Sequence, residues 1–174
     1  MAGANKSAGE FGHICVNENG PMCKCGKQGC LEACAAGPAI LRRYIELTSI
    51  DQDESNALSG SSSGSLSESL SESLNAEVIA GRAKNGDAAA IQVYEETGYY
   101  LGKAISTAVN ILNPEKVILG GGVSASMDLF YPKLKETLDK MVFKQANPDI
   151  LVEQTALGYN AALYGAAAIA LQRR

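Results

Sequence analysis

From Gly12 to Glu32 the chain reads GHICVNENGPMCKCGKQGCLE, a stretch that holds its only histidine and four of its five cysteines. Few features constrain a backbone more than soft donors this close together. His13, Cys23, Cys25 and Cys30 follow H-x9-C-x-C-x4-C spacing, and one imidazole with three thiolates is a donor set for a tetrahedral Zn²⁺. Gly20, Gly26 and Gly29 let so short a segment fold back on itself, and a knuckle of this kind depends on its metal for order. Three other readings stay open: a cluster of reduced thiols, a disulfide pair, and a four-thiolate zinc set in which Cys34 replaces His13. The opening MAGANKSAGE does not read as a secretory signal, which disfavours the disulfide, because cytosolic thiols stay reduced. Cys15 and Cys34 read as small buried apolar residues.

A chain of 174 residues is one domain of ordinary size, and at that length about 70% of the unfolded surface can be buried. Its net charge of −4 gives it no basic stripe for phosphate backbones, so no direct nucleic-acid contact is expected. No apolar run reaches the ~20 residues that span a bilayer. A cytoplasmic globular protein without membrane contact is the expectation.

Along the chain, Gly12 to Asn17 reads as a short strand ahead of the knuckle. A helix starting at Leu31 is interrupted and restarted at Gly37-Pro38. From Asp51 a Ser/Gly/Glu tract with an SESL repeat, 51–74, reads as a low-complexity surface loop. Asn75 is placed to cap the next helix and Asp87 the one after. In that one, Ile91, Tyr94, Gly98, Leu101, Ile105, Val109 and Leu112 recur at steps of three and four. Gly98 and Gly102, one turn apart, predict a close approach by another helix. KVILGGGVSAS then reads as strand, glycine turn and helix start, capped by Ser124 or Ser126, an arrangement that admits a phosphate or nucleotide or serves as a plain turn. A second such unit runs from Asp149 through Gly158 to AALYGAAAIAL. Strands alternating with helices predict an α/β layered domain.

AGEFGH, NGPMCKCGKQGCLE, NILNPEKVILGGGVS and the small-residue final helix, in this order, resemble the C-terminal domain of the ROK family of repressors, open reading frames and sugar kinases. The resemblance covers nearly all of 1–174 apart from the Ser-rich tract. It implies one lobe of an actin-like, RNase-H-like ATPase fold with an inserted zinc knuckle and sugar-binding segment at 10–32 and an adenosine-binding turn at 113–126. It also implies zinc on His13, Cys23, Cys25 and Cys30, sugar contacts from Glu10, His13 and Glu32, and adenosine against Gly120, Gly121 and Gly122. ATP with Mg²⁺, a hexose, and a homo-oligomeric assembly are the implied cofactor and partners. Read without the resemblance, Glu10 and Glu32 are exposed charges.

Departures from the family pattern bear on activity. No DxGGT phosphate loop occurs, no candidate emerges for the aspartate that takes the sugar hydroxyl's proton, and Tyr159 and Asn160 stand where acidic residues are common. The chain begins where the family would be finishing a hairpin of this domain. The expectation is a fragment, split gene product or truncated form lacking the N-terminal lobe. Its parent is then an ATP-dependent hexose kinase of glucokinase type, or a sugar-responsive repressor with an added helix-turn-helix.

Overall fold

A computed structural model describes residues 3–5, 7–48, 74–145, 147 and 149–172. Residues 51–73 of the Ser-rich tract lie outside them; Leu74, the tract's last residue, packs against the main core.

A 3₁₀ turn, Phe11–His13, and the cysteine knuckle precede α1 (Leu31–Ala35) and α2 (Gly37–Thr48), which break at Ala36 as the glycine-proline pair predicts. Next come α3 (Ala76–Lys84) and α4 (Ala88–Leu112). Each has the cap expected of it: Asn75 accepts from the Val78 N–H at 3.0 Å and Asp87 from the Ala90 N–H at 3.0 Å, which satisfies donors that the first helical turn leaves orphaned. Asn113, in the left-handed region at φ 44°, ends α4. Strand β1 (Lys116–Leu119), helix α5 (Met127–Met141) and strand β2 (Leu151–Gln154) form one crossover unit, followed by α6 (Ala161–Gln172). The strands are parallel, with Lys116 opposite Leu151 and Leu119 opposite Gln154.

Helix α4 is the hub. Its buried face (Val93, Tyr94, Ile105, Val109) meets Phe130, Leu134 and Leu138 of α5, Ile40 and Tyr44 of α2, and Ile79 of α3 in the main core. The two glycines of α4 set how near α5 can come. A Cβ on Gly98 would lie 2.3 Å from the Phe130 carbonyl oxygen, and one on Gly102 2.6 Å from Thr137 Cβ. Side chains there would force the helices apart at a cost of about 1–3 kcal/mol. Across the opposite side, Arg43 of α2 grips Glu96 of α4 with two nitrogens, at 2.8 and 3.0 Å, the fork geometry that makes such pairs directional.

Four expectations change. Neither Ser124 nor Ser126 caps α5 with its side chain: Ser126 occupies the N-cap position without a cap bond, and Ser124 Oγ donates to the Gly121 carbonyl at 2.7 Å. The strand at Gly12–Asn17 is reduced to a 3₁₀ turn and a single antiparallel bridge between Cys15 and Cys30, because the knuckle's turns leave it no longer partner strand. The last strand begins at Leu151, two residues later than predicted. Cys15 is exposed, not buried.

Candidate metal and ligand site

The knuckle is anchored by its own small core. Val16, Leu31, Cys34 and Ala35 pack on Ala104 of α4, with Phe11, Ile14, Tyr100 and Leu101 around them. Polar ties add to it: Asn17 donates to the Tyr100 hydroxyl at 3.0 Å and Lys103 to the Val16 carbonyl at 2.5 Å. Gly29 is required where the chain doubles back, since its φ is +68° and a Cβ would collide with the Asn17 carbonyl oxygen at 1.6 Å.

Within that frame the sulfurs of Cys23, Cys25 and Cys30 and a ring nitrogen of His13 all lie within 4.8 Å of one another. Cys25 and Cys30 are 3.6 Å apart at sulfur, and His13 Nδ1 is 3.7 Å from Cys23 Sγ. Zinc–sulfur bonds of about 2.3 Å at the tetrahedral angle give edges of about 3.8 Å, so the set has the size and chemistry of a four-coordinate site. Cys34 stands outside this cluster, among the apolar side chains around Ala104. Burial, then the Cys25 and Cys23 sulfurs, push the Cys30 thiol up to about 12, while the Lys27 backbone N–H holds Cys25 below its usual value. A bound cation would reverse that logic and favour the thiolates.

His13 turns its other nitrogen outward. Nε2 lies 4.0 Å from an oxygen of Glu10 and 4.0 Å from an oxygen of Glu32, too far for a direct hydrogen bond and open to a hydroxyl between them. Glu10 and Glu32 are both more than half exposed, at 69% and 52%. Lys27 Nζ donates to the His13 carbonyl at 2.8 Å and steadies the turn beneath the ring.

From this corner an apolar cleft of about 290 Å³ runs past Gly12, Glu32, Leu101 and Leu119 to Gly120 and Ser124. Beyond the glycine turn a wider cavity of about 1130 Å³ reaches Gly122, Ser126, Lys84, Asn75 and Tyr159. The N-terminal ends of α2, α3 and the 3₁₀ turn Gly122–Ser126 all border it, and helix N-termini favour anions. Gly121 has φ 91° and ψ 175°, a conformation reserved for glycine. Nothing stands within 4 Å of where Gly121 or Gly122 would carry a Cβ, so the backbone there is open to a ligand. No local motif marks Lys84, at the end of α3, as lining this cavity, where it pairs with Asp128 at 3.0 Å.

A two-stranded α/β unit with a donor knuckle at one end of a cleft and a glycine turn at the other is the fold of the sugar kinases of the actin-like ATPase class. It superposes on the ROK family glucokinase from Streptomyces griseus in complex with glucose and AMPPNP with a TM-score of 0.77, 29% identity, and coverage of 99% of this chain and 54% of that one. The chain belongs to the ROK family, whose family model matches residues 1–173. It is 33% identical over 95% of its length to the glucokinase of Halalkalibacterium halodurans, of which it covers 48%. To the N-acetylglucosamine repressor of Escherichia coli it is 30% identical over 92% of its length, covering 36% of that protein. The chain thus spans about half the length of its glucokinase relatives.

Proposed function

We propose that this chain is the C-terminal sugar- and nucleotide-binding lobe of an ATP-dependent hexose kinase of glucokinase type. The observation that carries the reading is the division of His13, with Nδ1 among the thiols and Nε2 facing out between two carboxylates. Metal on Nδ1 leaves the proton on Nε2, where it can be donated to a sugar oxygen, while Glu10 and Glu32 accept from neighbouring hydroxyls. Zinc on His13, Cys23, Cys25 and Cys30 would have four protein donors, and a closed site of this kind is structural. Gly120, Gly121 and Gly122 would receive the adenosine of ATP, whose Mg²⁺ and phosphates need a further lobe.

Phosphoryl transfer requires hydroxyl, base and phosphates in line, and on this reading the carboxylates at the described cleft, Glu10 and Glu32, are engaged in holding the sugar rather than in taking its proton. The chain alone is therefore expected to show no hexose-dependent ATP consumption, and addition of an N-terminal lobe from a glucokinase relative is expected to produce it. In that two-lobed protein Glu32→Gln should weaken glucose binding about tenfold or more, as loss of a charged acceptor does, with zinc content unchanged. Unaltered glucose affinity in both Glu10→Gln and Glu32→Gln would overturn the sugar assignment. The repressor relative supports a second reading, an effector-binding domain; sugar binding without turnover of any hexose in the reunited protein would select it.

A further inference from the structure

Cys15 is the one thiol that is both exposed and outside the donor set, and its place opposite Cys30 is specific. The flanking bonds, Val16 N–H to the Gly29 carbonyl at 2.8 Å and Leu31 N–H to the Ile14 carbonyl at 2.9 Å, enclose the bridge between Cys15 and Cys30. That pattern makes the two a non-hydrogen-bonded antiparallel pair. Opposed residues of such a pair have Cα atoms about 4.5 Å apart and side chains on one face, and a disulfide accepts Cα separations of about 4.4–6.8 Å. Cys30 is fully buried and is itself a donor of the four-donor set. An accessible thiol therefore sits across the ladder from a sulfur on which the knuckle depends.

We propose that Cys15 is a redox-modification site: a hydroperoxide oxidises it, and it then captures Cys30 in a disulfide that dismantles the metal-donor set. In the first step the Cys15 sulfur attacks one peroxide oxygen, the O–O bond breaks, and the departing hydroxide (or alkoxide) takes a proton, leaving a sulfenic acid. In the second the Cys30 sulfur attacks the Cys15 sulfur, the S–O bond breaks, and the departing hydroxide leaves as water with a proton taken from solvent, or from the Cys30 thiol itself when no metal is bound. Two thiols give up two electrons and one peroxide is reduced. The donor set falls to His13, Cys23 and Cys25, too few to keep a closed site. A dithiol reductant reverses the change. The competing pair is Cys25 with Cys30, whose sulfurs are 3.6 Å apart, but with metal bound both are engaged as donors while Cys15 is not.

The proposal rests on the metal reading above, and the test separates the two. Zinc-loaded chain is treated with limiting hydrogen peroxide, zinc release is followed with a chromophoric chelator, and disulfides are mapped by mass spectrometry after digestion without reductant. The expected result is a Cys15–Cys30 cross-linked peptide appearing in step with zinc release, both reversed by dithiothreitol and zinc. Cys15→Ser should load the same zinc and release it about tenfold more slowly, whereas Cys34→Ser should behave as the parent. Release from Cys15→Ser at the parental rate, or a parental map showing only Cys25–Cys30, overturns the proposal. Should the chain take up no zinc at all, the metal reading fails by itself, and mapping of the peroxide-treated apo chain still decides whether Cys15 pairs with Cys30.

Discussion

At the scale of single residues, His13 faces the thiols with one ring nitrogen and the two carboxylates with the other, so its loss should be felt on both sides. His13→Ala is expected to lower zinc from about one per chain to a small fraction of that under dialysis, while Cys34→Ser, in the apolar cluster, leaves it unchanged. Metal analysis decides; equal loss in both variants would reinstate Cys34 as a donor. Chelation should open the loop between Asn17 and Cys30 and leave most helical circular dichroism intact, since both ends of the knuckle are tied to α4 by packing that needs no metal. That anchoring was not legible in the sequence, which predicted a knuckle without support. The meeting of His13, Cys23, Cys25 and Cys30 was legible because their spacing is local. The place of Cys15 was not, because a single cross-strand bridge is fixed by turns on both sides of it and leaves no periodic signal.

At the scale of elements, a polar cluster at the junction of α2, α3 and α4 supplies a pH dependence. Tyr44 donates to Asp87 Oδ2 at 2.6 Å, and Arg82 donates to the Tyr44 hydroxyl at 2.8 Å. The Tyr44 hydrogen bond, then that from the Ala90 N–H, holds the Asp87 carboxyl below its usual value. A carboxylate depressed in the folded state contributes stability above its unfolded pKa of about 3.9, and that contribution is lost as pH falls through the folded value. Asp87→Asn keeps a capping oxygen, so its Tm should fall below the parent's at pH 7 and approach it near pH 2–3. A deficit independent of pH would show that the charge contributes nothing. The Asn75 and Asp87 caps and the Gly98–Gly102 approach were readable, because capping chemistry and helical spacing are properties of neighbouring residues. The serine cap expected for α5 failed because a 3₁₀ turn precedes that helix and Ser124 bonds the Gly121 carbonyl instead. The strand predicted at Gly12–Asn17 was misread for the complementary reason: extended character needs a partner, and the local run names none.

At the scale of the whole molecule, the sequence showed a small-residue apolar helix after β2 but could not show what lies against it. Among the described residues α6 packs little: Leu163 and Leu171 are 69% and 72% exposed. Ile118 and Leu151, on the outward face of the two strands, are exposed as well. Apolar surface on this scale is the mark of an interface. The chain alone should therefore self-associate as its concentration rises in sedimentation velocity, and a complementary lobe of the kind proposed above should suppress that association. A monodisperse monomer at high concentration would mean that these faces need no cover.

Helix α4 also works as a ruler. Its 25 residues make a rod about 37 Å long at 1.5 Å per residue. Tyr94 borders the wide cavity while Tyr100 and Lys103 hold the knuckle, so these two corners of the molecule are spaced along one stiff element. A single residue inserted between Tyr94 and Tyr100 would rotate one corner against the other by about 100° and pull the glycine notch out of line with α5. The distance between the corners cannot be adjusted in small increments: a change in this segment either keeps its length or disconnects the two ends.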